Sequence, residues 1–296
     1  LWWSVAAAQE TPATAQPMGW GAEGDMPAAL RTVTLGSAAE AMQGSGRFAL
    51  TVLPDAKTLL LFREALQAKN LERGFWIGYE RTAKGEALFV WLVQPSEPLP
   101  FRSAMIGDGY NRPVDLICRL AWEVAEKPLA PGAQKLLRQA YQAWQAGEIP
   151  AADQFFRQSL IVSEMATTPC REAGRMYLQQ GRPDAALPWF QAALRRNPYD
   201  FLTYWWLARL YEQTGDEEAQ RQALEDALRV GPRIPSVLIA LADHYKRTER
   251  KAEAQSLLQE AVRRDNDNLT AQLALLNMAE INHDWSVAAG ALRRVL

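Results

Sequence analysis

The chain has 296 residues, 48% hydrophobic and 22% charged, a globular mix that excludes a wholly disordered polypeptide. Its 32 Lys and Arg stand against 34 Asp and Glu, a net charge of -2 without bias in either half, so no nucleic-acid or polybasic membrane footprint is expected. Two cysteines, Cys118 and Cys170, and two histidines, His244 and His283, are too few for a disulfide framework or a metal centre, and no metal or cofactor is expected.

The chain opens Leu1-Trp2-Trp3-Ser4-Val5, then Ala6-Ala7-Ala8-Gln9. An apolar stub before an A-x-A pattern reads as the end of a secretory signal peptide cut after Ala8. It reads also as the last turn of a membrane anchor, or as an ordinary frayed terminus. Residues 9–30, with Pro12, Pro17, Gly19, Gly21, Gly24 and Pro27, read as a linker poor in branched apolar side chains. Segment 1–46 is thus expected to be a signal or anchor remnant and a flexible linker.

A small α/β domain is expected over 47–130. Leu50 to Leu53 is a short strand. Asp55 to Lys69 carries Leu59, Leu60, Phe62 and Leu66 at helical spacing, with Asp55 as the N-cap. Phe75 to Tyr79 and Ala87 to Val93 are aromatic and β-branched, and Arg81-Thr82-Ala83-Lys84-Gly85 between them predicts a hairpin. Pro95, Pro98 and Pro100 end the strand. Gly107 and Gly109 start a G-x-G-x-x-G run whose third glycine is replaced by Arg112, so a turn is expected there and not a phosphate loop. Asp115, Leu116, Ile117, Leu120, Ala121 and Val124 predict a helix. The order strand, helix, hairpin, helix over 47–127 is similar to the back half of TolB-like domains that precede helical repeats in some bacterial envelope and regulatory proteins.

The remainder is periodic. Gly147, Gly181, Gly215, Glu249 and His283 end successive first helices at a spacing of 34. Small residues recur at the helix-packing point: Ala140, Gly174, Ala208 and Ala242. Large apolar residues recur in the second helix: Phe156, Phe190, Leu224, Leu258 and Leu292. Ala152, Ala186, Ala254 and Ala288 mark a small contact position, where the third repeat has Gln220 instead. Two helices approach closely only where one side chain is small, and a large neighbour then fills the space beside it.

These residues resemble the tetratricopeptide repeat family from Ala133 to Leu296. The resemblance implies an α-helical solenoid of five helix-turn-helix repeats (133–166, 167–200, 201–234, 235–268 and an incomplete 269–296), preceded by the small α/β domain. Because the last repeat stops at Leu296 inside its second helix, an apolar end face is expected, covered by further chain or by a contact.

The resemblance further implies that the first helices line a concave groove. Arg171, Arg175, Arg209, Lys246 and Arg247 would place cations across three adjacent repeats, suited to an acidic peptide or a terminal carboxylate. This loosely resembles the carboxylate clamp of chaperone-binding repeat proteins, without its Lys and Asn pattern. Tyr141, Trp144 and Trp205 would anchor an apolar or helical segment. Both groups read equally as solvated helix faces and inter-repeat packing. No catalytic constellation is visible. The function expected is a non-catalytic scaffold that binds a partner protein or peptide, in a membrane-associated assembly of the bacterial envelope or periplasm, with a cytoplasmic location as the alternative. The other reading is a regulatory or positioning module of a larger enzyme or sensor.

Overall fold

The structure of the protein is a computed structural model, which describes residues 15–45, 47–82, 85–95, 101–106, 113–125, 130–163, 166–231 and 233–295. The chain divides into two compact units, Leu1–Asp200 and Phe201–Leu296. The signal-like start, the Gly107–Arg112 run, Pro98, Pro100, Ala83 and Lys84 lie outside the described residues.

The first unit begins with β1 (Gln16–Ala22), then α1 (Ala28–Val33) and α2 (Ala39–Gly44) joined by a π-helical turn over Thr34–Ala38. β2 (Phe48–Val52), α3 (Leu59–Ala68), β3 (Gly74–Thr82), β4 (Gly85–Val93), β5 (Phe101–Ile106) and α4 (Pro113–Ala125) follow. The five strands form one sheet in the order β2-β1-β3-β4-β5. β1 is parallel to β2 and β3, and β3, β4 and β5 are antiparallel neighbours. Alternation sorts the side chains to two faces. Met18, Trp20, Phe75, Ile77 and Val90 pack with Ala38, Met42 and the apolar face of α4. Trp76 and Val93 on the other face pack with Phe62 and Leu66 of α3.

The linker expected over 9–30 differs from this. Gln16–Ala22 is a central strand, and the α/β layer begins well before residue 47. Its glycines mark a close approach and not flexibility. A Cβ on Gly21 would lie 2.7 Å from Phe62 Cδ2, and one on Gly19 would overlap Leu66 Cδ2. Pro17 is tolerated because pairing with β3 starts only at Gly19. The helix expected from Asp55 starts later. Thr58 is the cap, its Oγ1 accepting from Leu61 N–H at 3.3 Å, while Leu53 to Ala56 closes a turn. The described layer exceeds the order on which the TolB-like resemblance rests by β1, α1, α2 and β5.

Two helix pairs complete the first unit: α5 (Pro131–Gln145) with α6 (Ile149–Val162), and α7 (Thr168–Gln179) with α8 (Pro183–Arg196). The second unit holds α9 (Phe201–Thr214) with α10 (Glu217–Val230), α11 (Pro235–Arg247) with α12 (Lys251–Arg264), and α13 (Leu269–Ile281) with α14 (Trp285–Val295). The small positions Ala140, Gly174, Ala208 and Ala242 are buried, as are Phe156, Phe190, Leu224 and Leu258. Leu292, at the same register, is 44% exposed.

The residue that turns each pair takes a left-handed conformation, with φ of +78° at Gly147, +67° at Gly181 and +74° at Gly215. Glu249 (61°) and His283 (57°) are forced into it as well. That conformation costs a residue with a Cβ roughly 1–2 kcal/mol, part of which glycine's own chain entropy offsets. Glu249→Gly and His283→Gly are each expected to stabilise the second unit by about 1 kcal/mol. Urea denaturation checks this, and an unchanged or lower midpoint would count against the turn geometry.

Candidate functional site

The sequence-predicted groove residues fall into two groups, one in each unit. In the first, Tyr141 and Trp144 on α5 meet Arg171 and Arg175 on α7. Their rings stack at 6.2 Å, and the Arg175 guanidinium lies 4.9 Å over the Trp144 ring. Arg171 donates to Asp200 Oδ2 at 2.7 Å, and Arg175 stands 2.9 Å from Glu172 Oε2. Glu172 and Asp200 are both buried. Burial and then the Glu172 charge push the Tyr141 hydroxyl up to about 12, so it stays neutral. These cations are tied into an internal network of carboxylates and rings, and do not stand as a bare stripe.

In the second unit Trp205, Arg209 and Arg247 come together. An open cleft of about 300 Å³, its solvent-filled mouth included, is lined by Trp205, Ala208, Arg209 and Glu212 of α9, Gln220 and Leu224 of α10, and Ala240, Asp243 and Arg247 of α11. The two alanines make the space: with no bulk at Ala208 and Ala240, Leu224 is left as a floor. Arg209 pairs with Glu212 at 2.9 Å one turn on. Arg247 is held more loosely. Its Nη2 donates to the neutral Gln220 Oε1 at 3.0 Å, while Glu217 and Asp243 stand off at 3.7 Å, beyond direct hydrogen-bond range. Lys246 is not part of this site and donates instead to Asn277 Oδ1 on α13 at 2.7 Å.

Sequence reasoning passed over Gln220, although the signal was present. It breaks the small-residue pattern of its register, and its amide holds the loosest of the arginines. The lining carries two positive and two negative side chains, so the cleft is not a cationic trap. Among the described residues no three His, Cys, Asp or Glu cluster at metal-holding distance. Cys118 and Cys170 are buried, and burial pushes the Cys118 thiol up to about 12, far from nucleophilic. Among the described residues no helix is long and apolar enough to cross a membrane.

Residues 171–233 match the family model described as Tetratricopeptide repeat. This segment is tetratricopeptide repeat. The helix pairs on either side of it keep the same 34-residue turn spacing. Similar solved structures include MamA from Desulfovibrio magneticus RS-1, at 16% identity over 56% of this chain and 94% of that one, with a TM-score of 0.47. PilF of Pseudomonas aeruginosa is 19% identical over 60% and 79%, with a TM-score of 0.48. YrrB, described as a TPR protein with an unusual peptide-binding site, is 16% identical over 60% and 91%, with a TM-score of 0.45. No curated protein matches the sequence.

Proposed function

We propose that the tetratricopeptide array is a non-catalytic scaffold holding a segment of a partner protein, and that the segment docks in the α9–α11 cleft. The observation that carries this reading is the convergence of Trp205, Arg209 and Arg247 on one open cleft floored by Leu224. The repeat match over 171–233 supports protein interaction as the class of function. Trp205 offers an apolar face to an inserted side chain. Arg247, its carboxylate neighbours at 3.7 Å, has guanidinium N–H groups to give to a ligand carboxylate. Because the lining charges cancel, the segment recognised is one acidic group beside an apolar or aromatic residue and not a polyanionic tract.

A photo-crosslinking side chain placed at Trp205 tests this in cells that make the protein. Labelling of a discrete partner from position 205, and not from the exposed Gln222 on α10, is expected. Equal labelling from both positions would refute docking in the cleft. An envelope assembly as the setting rests on the Leu1–Ala8 pattern. Cell fractionation checks it, with the protein expected in periplasm or membranes and a cytosolic protein contradicting it.

A further inference from the structure

His244 occupies a core position. The 34-residue register aligns it with Met176, Leu210 and Met278, which are 0%, 2% and 1% exposed, and with the exposed Gln142 of the first repeat, and His244 itself is 3% exposed. Three repeats fill this place with an apolar side chain, and the fourth fills it with a group that ionises in mildly acidic water. Its Nδ1 is buried and has no hydrogen-bond partner among the described residues. Packing alone is served by Leu or Met there, and a buried polar atom left unpaired costs stability.

We propose that His244 is a proton-sensitive seat for α11: uptake of a proton loosens α11 from α10, and with it the cleft wall that carries Asp243 and Arg247. The charges acting on the imidazole come from α10, as Glu217, Glu218 and Arg221, and from Arg247 on α11 itself. On the α12 side, Arg250 lies over the neighbouring Tyr245 ring, 3.9 Å from its centroid. Burial, and then Arg247, hold the imidazole below its ordinary pKa, with Glu217 and Glu218 opposing. The unfolded chain therefore takes up this proton first, near pH 6.5. The stability of the second unit is retained above that pH and falls as pH drops through it. The folding equilibrium constant falls by up to about tenfold per pH unit, until the folded state is protonated too. Glu218, Glu253 and Glu260 are held below the ordinary carboxylate value of 4.5, so their pairs are lost only at lower pH.

The loosening stands on the packing alone, and only its effect on a ligand rests on the cleft being a binding site. Thermal melting of the full chain needs no ligand and so separates the two. His244→Met installs the residue that two other repeats carry at this place. Between pH 7.5 and 5.5 the wild type is expected to lose about 4 °C more than His244→Met, and equal losses would overturn the proposal. In a His283→Asn background one histidine remains, and its imidazole NMR signals are expected to titrate below about pH 6.5. Titration at or above that value would also overturn it.

Discussion

Replacing Gly174 with leucine is expected to destabilise the first unit by about 3 kcal/mol or more. Glycine inside a helix ordinarily costs roughly 1 kcal/mol relative to alanine, so propensity alone predicts a gain from Gly174→Ala. Packing predicts the opposite. A Cβ at Gly174 would stand 2.6 Å from Phe190 Cε1 and 2.7 Å from Cδ1, and Phe190 is fully buried with no room to swing aside. Overpacking therefore outweighs propensity, and even Gly174→Ala lowers stability. Phe190→Leu vacates part of that space, so the double variant Gly174→Ala/Phe190→Leu should lose less than the two single losses added. Urea denaturation of the four proteins measures this. A Gly174→Ala protein more stable than wild type would show that α7 and α8 do not meet at this point.

The second large effect concerns the cleft. Trp205→Ala is expected to weaken partner binding by about 2 kcal/mol, roughly thirtyfold, as truncating an aromatic anchor does. Trp205 is only half-buried, so melting temperature should barely move. Charge reversal separates the two arginine groups. Arg247→Glu should weaken binding of an acidic segment and leave the fold intact, because Arg247 is 42% exposed and loosely partnered. Arg175→Glu should instead damage the fold, by about 3 kcal/mol, since it sets a second carboxylate against the buried Glu172. If Arg175→Glu melted like wild type and abolished binding, the first unit and not the cleft would be the docking surface.

Much of the helical half was legible because one period orders it. Five turn positions 34 apart all proved to have positive φ, including Glu249 and His283, whose residue types alone would not suggest it. The β3–β4 hairpin was legible from alternation and from Gly85. β1 was not. Pro17, Gly19 and Gly21 carry the composition of a linker, and the reason for the glycines, the seating of Phe62 and Leu66 from a helix some 40 residues away, is a tertiary fact. The site was half legible. Register placed Trp205, Arg209 and Arg247 on first helices, but the carboxylates that engage Arg171 and Arg175 depend on burial that spacing does not show. His244 was readable from the same register once aligned with Met176, Leu210 and Met278, because a break in a core column is itself a signal.

The most direct test of the cleft as a peptide site is selection from a random peptide library displayed on phage, panned on the full chain and in parallel on Trp205→Ala and Arg247→Glu. The wild-type protein is expected to enrich sequences with an acidic residue beside an apolar or aromatic one, and both variants should lose that enrichment while keeping the wild-type melting temperature. Enrichment of the same sequences by all three proteins would contradict the account, because the selected peptides would then bind elsewhere on the chain.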